Sequence, residues 1–132
     1  MNAENNVIFE WKRLADMDLA TASHMFETFR PIPLEVVCFH SQQSAEKMLK
    51  CFLVFNSIVP PKTHDLNKLL LMCSAIEKDF DNLGKEANIL TGYAVFPRYP
   101  ADIQLDECDG KAAIEFAKKI SDYVNSLVFP AD

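Results

Sequence analysis

Apolar residues recur at three- and four-residue steps along most of the 132-residue chain, the spacing of helices that bury one face. The first helix is predicted from about Asn5 to Phe29. Val7, Trp11, Leu14, Ala15, Ala22, Met25, Phe26 and Phe29 form its stripe, which Asp18 interrupts. Arg30-Pro31-Ile32-Pro33 ends it, because proline lacks an N–H and disfavours helix in the residue before it. A second helix is predicted over Leu34–Asn56. At about 100° per residue, Leu34, Cys38, Ser41, Ala45, Met48, Leu49, Phe52 and Phe55 share a broad inner face. Gln43, Glu46, Lys47 and Lys50 fall on the outer side, together with Val36, Phe39 and Val54.

Val59-Pro60-Pro61 reads as a loop. A short helix follows over His64–Cys73, with Thr63 as its predicted N-cap and Asp65 suited to the positive end of its dipole. The next helix is predicted over Ile76–Tyr93, with Ile76, Phe80, Leu83, Ala87 and Leu90 inward and Gly84 as a weak point. Phe96-Pro97-Arg98-Tyr99-Pro100 cannot be regular helix. The last helix is predicted over Asp109–Val128, with Ala113, Ala117, Ile120, Val124 and Leu127 as its stripe and Phe116 and Tyr123 as a second one. The expected fold is all-α: an antiparallel up-and-down bundle of four long helices plus one short helix. No repeat or composition break divides it, so residues 1–132 read as one domain.

Composition narrows the function. Apolar residues are 49% of the chain and charged residues 24%, which opposes disorder. No apolar run approaches the roughly 20 residues of a membrane span. No charged segment followed by an apolar run opens the sequence, so a cytoplasmic protein without a signal peptide is expected. A net charge of −6 argues against a strongly basic nucleic-acid module. The four cysteines lack C-x-x-C spacing and the three histidines lack H-E-x-x-H spacing, so neither a metal nor a cofactor is expected.

Three places carry candidate chemistry. Glu46 and Lys50 form an i, i+4 pair, which fits either support for a wet helix face or a polar stripe lining a groove. His64 and Asp65 stand where they cap the short helix or meet a ligand at its N-terminus. Arg98, held between two prolines beside Tyr99, suits either a bidentate contact with phosphate or a salt bridge to Glu46 or Asp102. Tyr99 fits stacking on a base or plain packing. Asp102, Asp106, Glu107 and Asp109 make an acidic run that an N-cap explains more simply than a metal. No nucleophile-and-base constellation or Gly-rich phosphate loop is present.

Phe39-His40-Ser41-Gln42-Gln43-Ser44-Ala45-Glu46-Lys47-Met48-Leu49-Lys50 resembles the second-helix signature of HEPN domains. Pro61-Lys62-Thr63-His64-Asp65-Leu66, followed by Leu69 and Leu70, resembles a second landmark of that family, and Arg98-Tyr99-Pro100 a third. Trp11, Ala15, Asp18-Leu19 and Ala22 fit its first helix. The resemblance runs from about Asn5 to Val128. It implies an all-α, usually dimeric domain associated with nucleotide or RNA binding and often encoded beside a minimal nucleotidyltransferase, in toxin–antitoxin or related pairs.

Ribonuclease members of that family carry an Arg and, after four to six residues, a His near the start of the last helix. Here Ile103, Gln104 and Leu105 occupy those places after Arg98, and no histidine follows His64. Cleavage needs a proton acceptor and a donor, so the ribonuclease activity is not carried over; Arg98 and His64 remain weak catalytic candidates. The expected ligand-binding set is Gln43, Glu46, Lys47, Lys50, His64, Asp65, Arg98 and Tyr99. The expected partners are a second copy of the chain, a nucleotidyltransferase, and a nucleotide or RNA, with no membrane. A divergent ribonuclease toxin and a scaffold without a small ligand are the alternatives. The outer side of the second helix around Phe39 and Val54, or the Phe116–Tyr123 stripe, is the expected dimer face.

Overall fold

The computed structural model describes residues 3–94 and 104–131. Among them, every regular element is helical. Helix α1 spans Ala3–Thr28, α2 Leu34–Phe55, α3 Leu66–Ser74, α4 Gly84–Thr91 and α5 Glu107–Val128, with a 3-10 turn over Lys78–Leu83 before α4. The all-α fold is therefore as expected, but three helices are long, not four. The expected helix over Ile76–Tyr93 is the 3-10 turn followed by α4. Extended backbone at Glu77 (φ −131°, ψ 106°) separates the turn from α3. The turn buries Phe80 and Leu83, whereas Ile76, expected inward, is exposed.

Contacts along the helices give their directions. Cys51 Sγ approaches the Ile8 carbonyl, and His40 meets Asp18. Numbers rise on one helix as they fall on the other, so α1 and α2 are antiparallel. At the start of α5, a Cβ built on Gly110 would stand 2.9 Å from Leu34 Cδ2 and 3.2 Å from Phe26 Cε2. Glycine permits this close approach, since any larger side chain there would displace its neighbours. At the far end, Phe55 and Phe129 line one cleft. Helix α5 thus runs parallel to α2.

Helix α2 is central. Residues on every side of it are buried, including Val37, Cys38, Ala45, Met48, Leu49, Phe52 and Leu53. Phe52, Phe80 and Tyr123 meet in sequence, the first pair tilted and the second edge to face, with centroids 4.7 and 4.8 Å apart. Leu66, Leu69 and Leu90 complete the core with Ala113, Ala117, Ile120 and Val124 of α5. Each large side chain contributes about 1.5–3 kcal/mol by leaving water. Phe116 and Tyr123 pack against this core.

The α1 stripe divides. Ile8, Ala15 and Ala22, seven residues apart, are buried, while Val7, Leu14 and Phe29 of the predicted stripe are exposed. Small residues on the inner line let α1 lie close on α2, which turns its larger apolar side chains onto flanks and outward. The caps also differ in detail. Asp65, not Thr63, caps α3: its side chain accepts from Asn67 N at 2.9 Å, and Thr63 Oγ1 accepts from Asp65 N. Asp106 and Asp109 form a reciprocal capping box for α5, which therefore starts at Glu107, ahead of Asp109. No described helix is long and apolar enough to cross a membrane.

Candidate functional site

The side of α2 expected to face water is largely buried. The Glu46 and Lys50 side chains are only 5% and 9% exposed, and Gln42 is fully buried. Support for a wet face is thereby overturned. Helix α1 covers one flank of α2, and the segment leading into α3 covers the other. Period and charge along a single helix do not reveal such neighbours, which is why the burial was not foreseen.

Glu46 is the hub. Its Oε2 accepts from Lys50 Nζ at 3.1 Å, and its Oε1 accepts from Gln42 Nε2 at 3.1 Å. His64 Nδ1 lies 2.9 Å from the same Oε1. An ionised carboxylate only accepts, so Nδ1 carries the hydrogen and Nε2 faces outward. The His64 side chain is 66% exposed. Gln42 also donates to the His64 carbonyl at 3.2 Å and accepts from Gln43 Nε2 at 2.7 Å. The three partners replace water that this buried carboxylate loses on folding. The Lys50 ammonium sits 5.9 Å from the centre of the Trp11 ring.

A second carboxylate works similarly from α1. Asp18 Oδ1 meets His40 Nδ1 at 2.9 Å, and Oδ2 accepts from Lys47 Nζ at 2.5 Å. Each histidine is thus oriented by a largely buried acid, and each acid also holds a lysine. Along the strip of α2 between α1 and His64, the partly or fully exposed polar groups are His40, Gln43 and Lys47, with His64 beside them.

The structure therefore brings Gln43, Glu46, Lys47, Lys50 and His64 together. Glu46 and Lys50 form the buried support, and Gln43, Lys47 and His64 its reachable side. Asp65 is exposed and engaged in capping α3. The first N–H of α3, that of Leu66, donates to Thr91 Oγ1 at 3.0 Å. Arg98, Tyr99 and Asp102 lie outside the described residues. Gln42, His40, Asp18 and Trp11 also belong to the cluster, outside the expected ligand-binding set. Asp18 was legible as a carboxylate inside an apolar stripe, which needs a partner when it is covered.

The site offers donors that suit a phosphate and two oriented imidazoles. Among the described residues, no group of three His, Cys, Asp or Glu side chains is placed to hold a metal ion. The Ser44 hydroxyl, next to Gln43 in sequence, is buried without a hydrogen-bond partner, and the Ser41 hydroxyl donates to the Val37 carbonyl. Burial pushes the thiols of Cys38, Cys51 and Cys73 up to about 12, so they are inert packing groups.

Known structures share this arrangement of helices. TT1696 from Thermus thermophilus superposes with a TM-score of 0.74 at 22% identity, covering 90% of this chain and 96% of that one. ST0689, an archaeal HEPN homologue, superposes with a TM-score of 0.71 at 26% identity, covering 92% and 97%. No functionally curated protein matches. The family model for the HEPN domain matches residues 8–127. With the second-helix run, the His64–Asp65 landmark and the helical fold in agreement with that match, the chain belongs to the HEPN domain family.

Proposed function

We propose that this chain is a homodimeric HEPN module that binds a nucleotide or RNA phosphate without cleaving it. In this reading it serves as the partner of a nucleotidyltransferase in a toxin–antitoxin or defence-type pair. One observation carries the binding: Glu46 and Asp18, both largely buried, hold His64, from the segment before α3, and Lys47 of α2 on the side of α2 that carries Gln43. Donors fixed in advance lose little freedom when they meet an anion. Arg98 and Tyr99 join the proposal through the family likeness alone. Against cleavage stands the lack of a histidine at the family's spacing after Arg98.

The test is titration of ATP and of a fluorescent single-stranded RNA into the protein at several salt concentrations. Binding that weakens with salt is expected, since phosphate contacts release counterions. Lys47→Ala should weaken it about tenfold, the loss of one charge-assisted hydrogen bond, and His64→Ala should weaken it less, because the ring gives its Nδ1 hydrogen to Glu46. Appearance of RNA fragments that depend on His64 or Arg98 would establish the ribonuclease alternative instead. No binding from a folded protein would leave the scaffold reading.

A further inference from the structure

Helix α1 has an outer face that nothing within the described chain covers. Val7, Leu14 and Met17 are exposed there, at 46%, 37% and 54%. Two shallow clefts meet on this face. One, about 360 Å³, is lined by Asn6, Val7, Glu10, Trp11 and Leu14. The other, about 430 Å³, is lined by Val7, Trp11, Val54, Ile58, Val59 and Pro60 among others. Val7 and Trp11 belong to both, so the two form one apolar trough. Contiguous apolar surface of this kind marks an interaction site more often than a bare surface.

The polar groups on its flank indicate the occupant. Glu10 and Arg13 are exposed, one turn apart on the same edge of α1, and pair bidentately at 2.7 and 3.1 Å. In an antiparallel pair of identical helices, a two-fold axis brings like flanks together. An axis between Trp11 and Lys12 sets Glu10 opposite Arg13 of the partner subunit, and the reciprocal pair forms on the other side. The same axis places Val7 near Met17 of the partner subunit, so exposed apolar groups meet each other. Charge and apolar pattern are thus self-complementary about a single point.

We infer that the outer face of α1, with the trough between Val7 and Val59, is the contact surface for a second copy of this chain. The inference rests on the homodimeric reading above and specifies its face. Of the two faces expected from sequence, it takes in Val54, which lines the trough, and leaves aside Phe116 and Tyr123, which pack on their own core.

The test is mass in solution by analytical ultracentrifugation from micromolar to about a hundred micromolar. The wild type should be a dimer that dissociates on dilution, with a shift in fluorescence of Trp11, the chain's single tryptophan. Leu14→Glu, at an exposed position, should keep its helical circular dichroism and sediment as a monomer. Glu10→Arg and Arg13→Glu should each raise the dissociation constant about tenfold or more, since like charges then oppose across the axis. Mixing these two variants should restore a dimer, because each carries the charges the other lacks. A change confined to the intrachain pair would give no such rescue. A dimer that survives Leu14→Glu unchanged, or variants that do not recover on mixing, would overturn the face alone. A wild type monomeric throughout would overturn the homodimer as well. Phosphate binding, read separately through Lys47 and His64, is untouched by either result.

Discussion

Glu46 and Glu86 are both carboxylates nearly removed from water, and both meet a lysine. Their surroundings differ. Glu46 has both oxygens engaged, by Lys50, Gln42 and His64, and Lys50 is itself only 9% exposed. Glu86 engages Lys119 at 2.8 Å through Oε2, leaves Oε1 buried without a partner, and its lysine is 58% exposed. Burial pushes the Glu86 carboxyl up, but the hydrogen bond from Lys119, a backbone hydrogen bond and nearby lysine charges outweigh it, so the group lies below the ordinary range. One acid organises a junction of two elements. The other is a pair at the edge between α4 and α5. Equal burial therefore does not mean an equal role; the number and burial of partners decide.

Mutation should separate them. Glu46→Ala leaves the Lys50 ammonium buried without its partner and should cost about 3–5 kcal/mol in urea unfolding. Glu46→Leu with Lys50→Met, which removes both charges while keeping bulk, should recover most of that loss. If the double variant were as unstable as Glu46→Ala, the buried lysine would not be the source of the damage. Glu86→Ala should cost only about 1 kcal/mol, since Lys119 returns to water. Equal losses at Glu46 and Glu86 would abolish the contrast.

Acid sharpens the comparison further. The folded-state pKa of Glu86 is lowered, so its stabilising contribution is full above the unfolded value of about 4.5 and is lost as pH falls through the folded value. Glu86→Gln should therefore lose less stability than the wild type between about pH 5 and pH 3, by a few tenths of a kcal/mol. Unfolding curves at fixed pH steps would read the difference. His64→Ala should change stability least, under about 1 kcal/mol, because the ring is mostly in water. Its effect belongs to phosphate binding. Thiol labelling of the native protein checks the surrounding core: Cys108 is exposed and should react, while Cys38, Cys51 and Cys73 should stay unlabelled until unfolding.

Much of this was legible from residue order. Pro31 and Pro33 set the break after α1, and the apolar period placed α2 and α5 to within a few residues at each end. The acidic run at Asp106–Asp109 was readable as a cap and is one. The run through Gln43, Glu46, Lys47 and Lys50 was readable as chemistry, but its depth was not. On one helix, Glu46 and Lys50 follow the rules of a solvated pair, and only His64, eighteen residues away, with α1 on the other flank, reveals that they are covered. The helix over Ile76–Tyr93 failed for a related reason. Its apolar spacing fits a helix, yet burial of Phe80 against Phe52 and Tyr123 is met by a 3-10 turn.

The sequence by itself determined that the chain is helical, where its longest helices break, and which short runs carry the HEPN likeness, because these depend on local spacing and on proline. Which face of α1 is inner, which acids are buried, and which histidine each acid orients were decided only by the tertiary structure. Those outcomes depend on what other segments press against a helix, and burial is a property of the neighbours a residue acquires rather than of the residue.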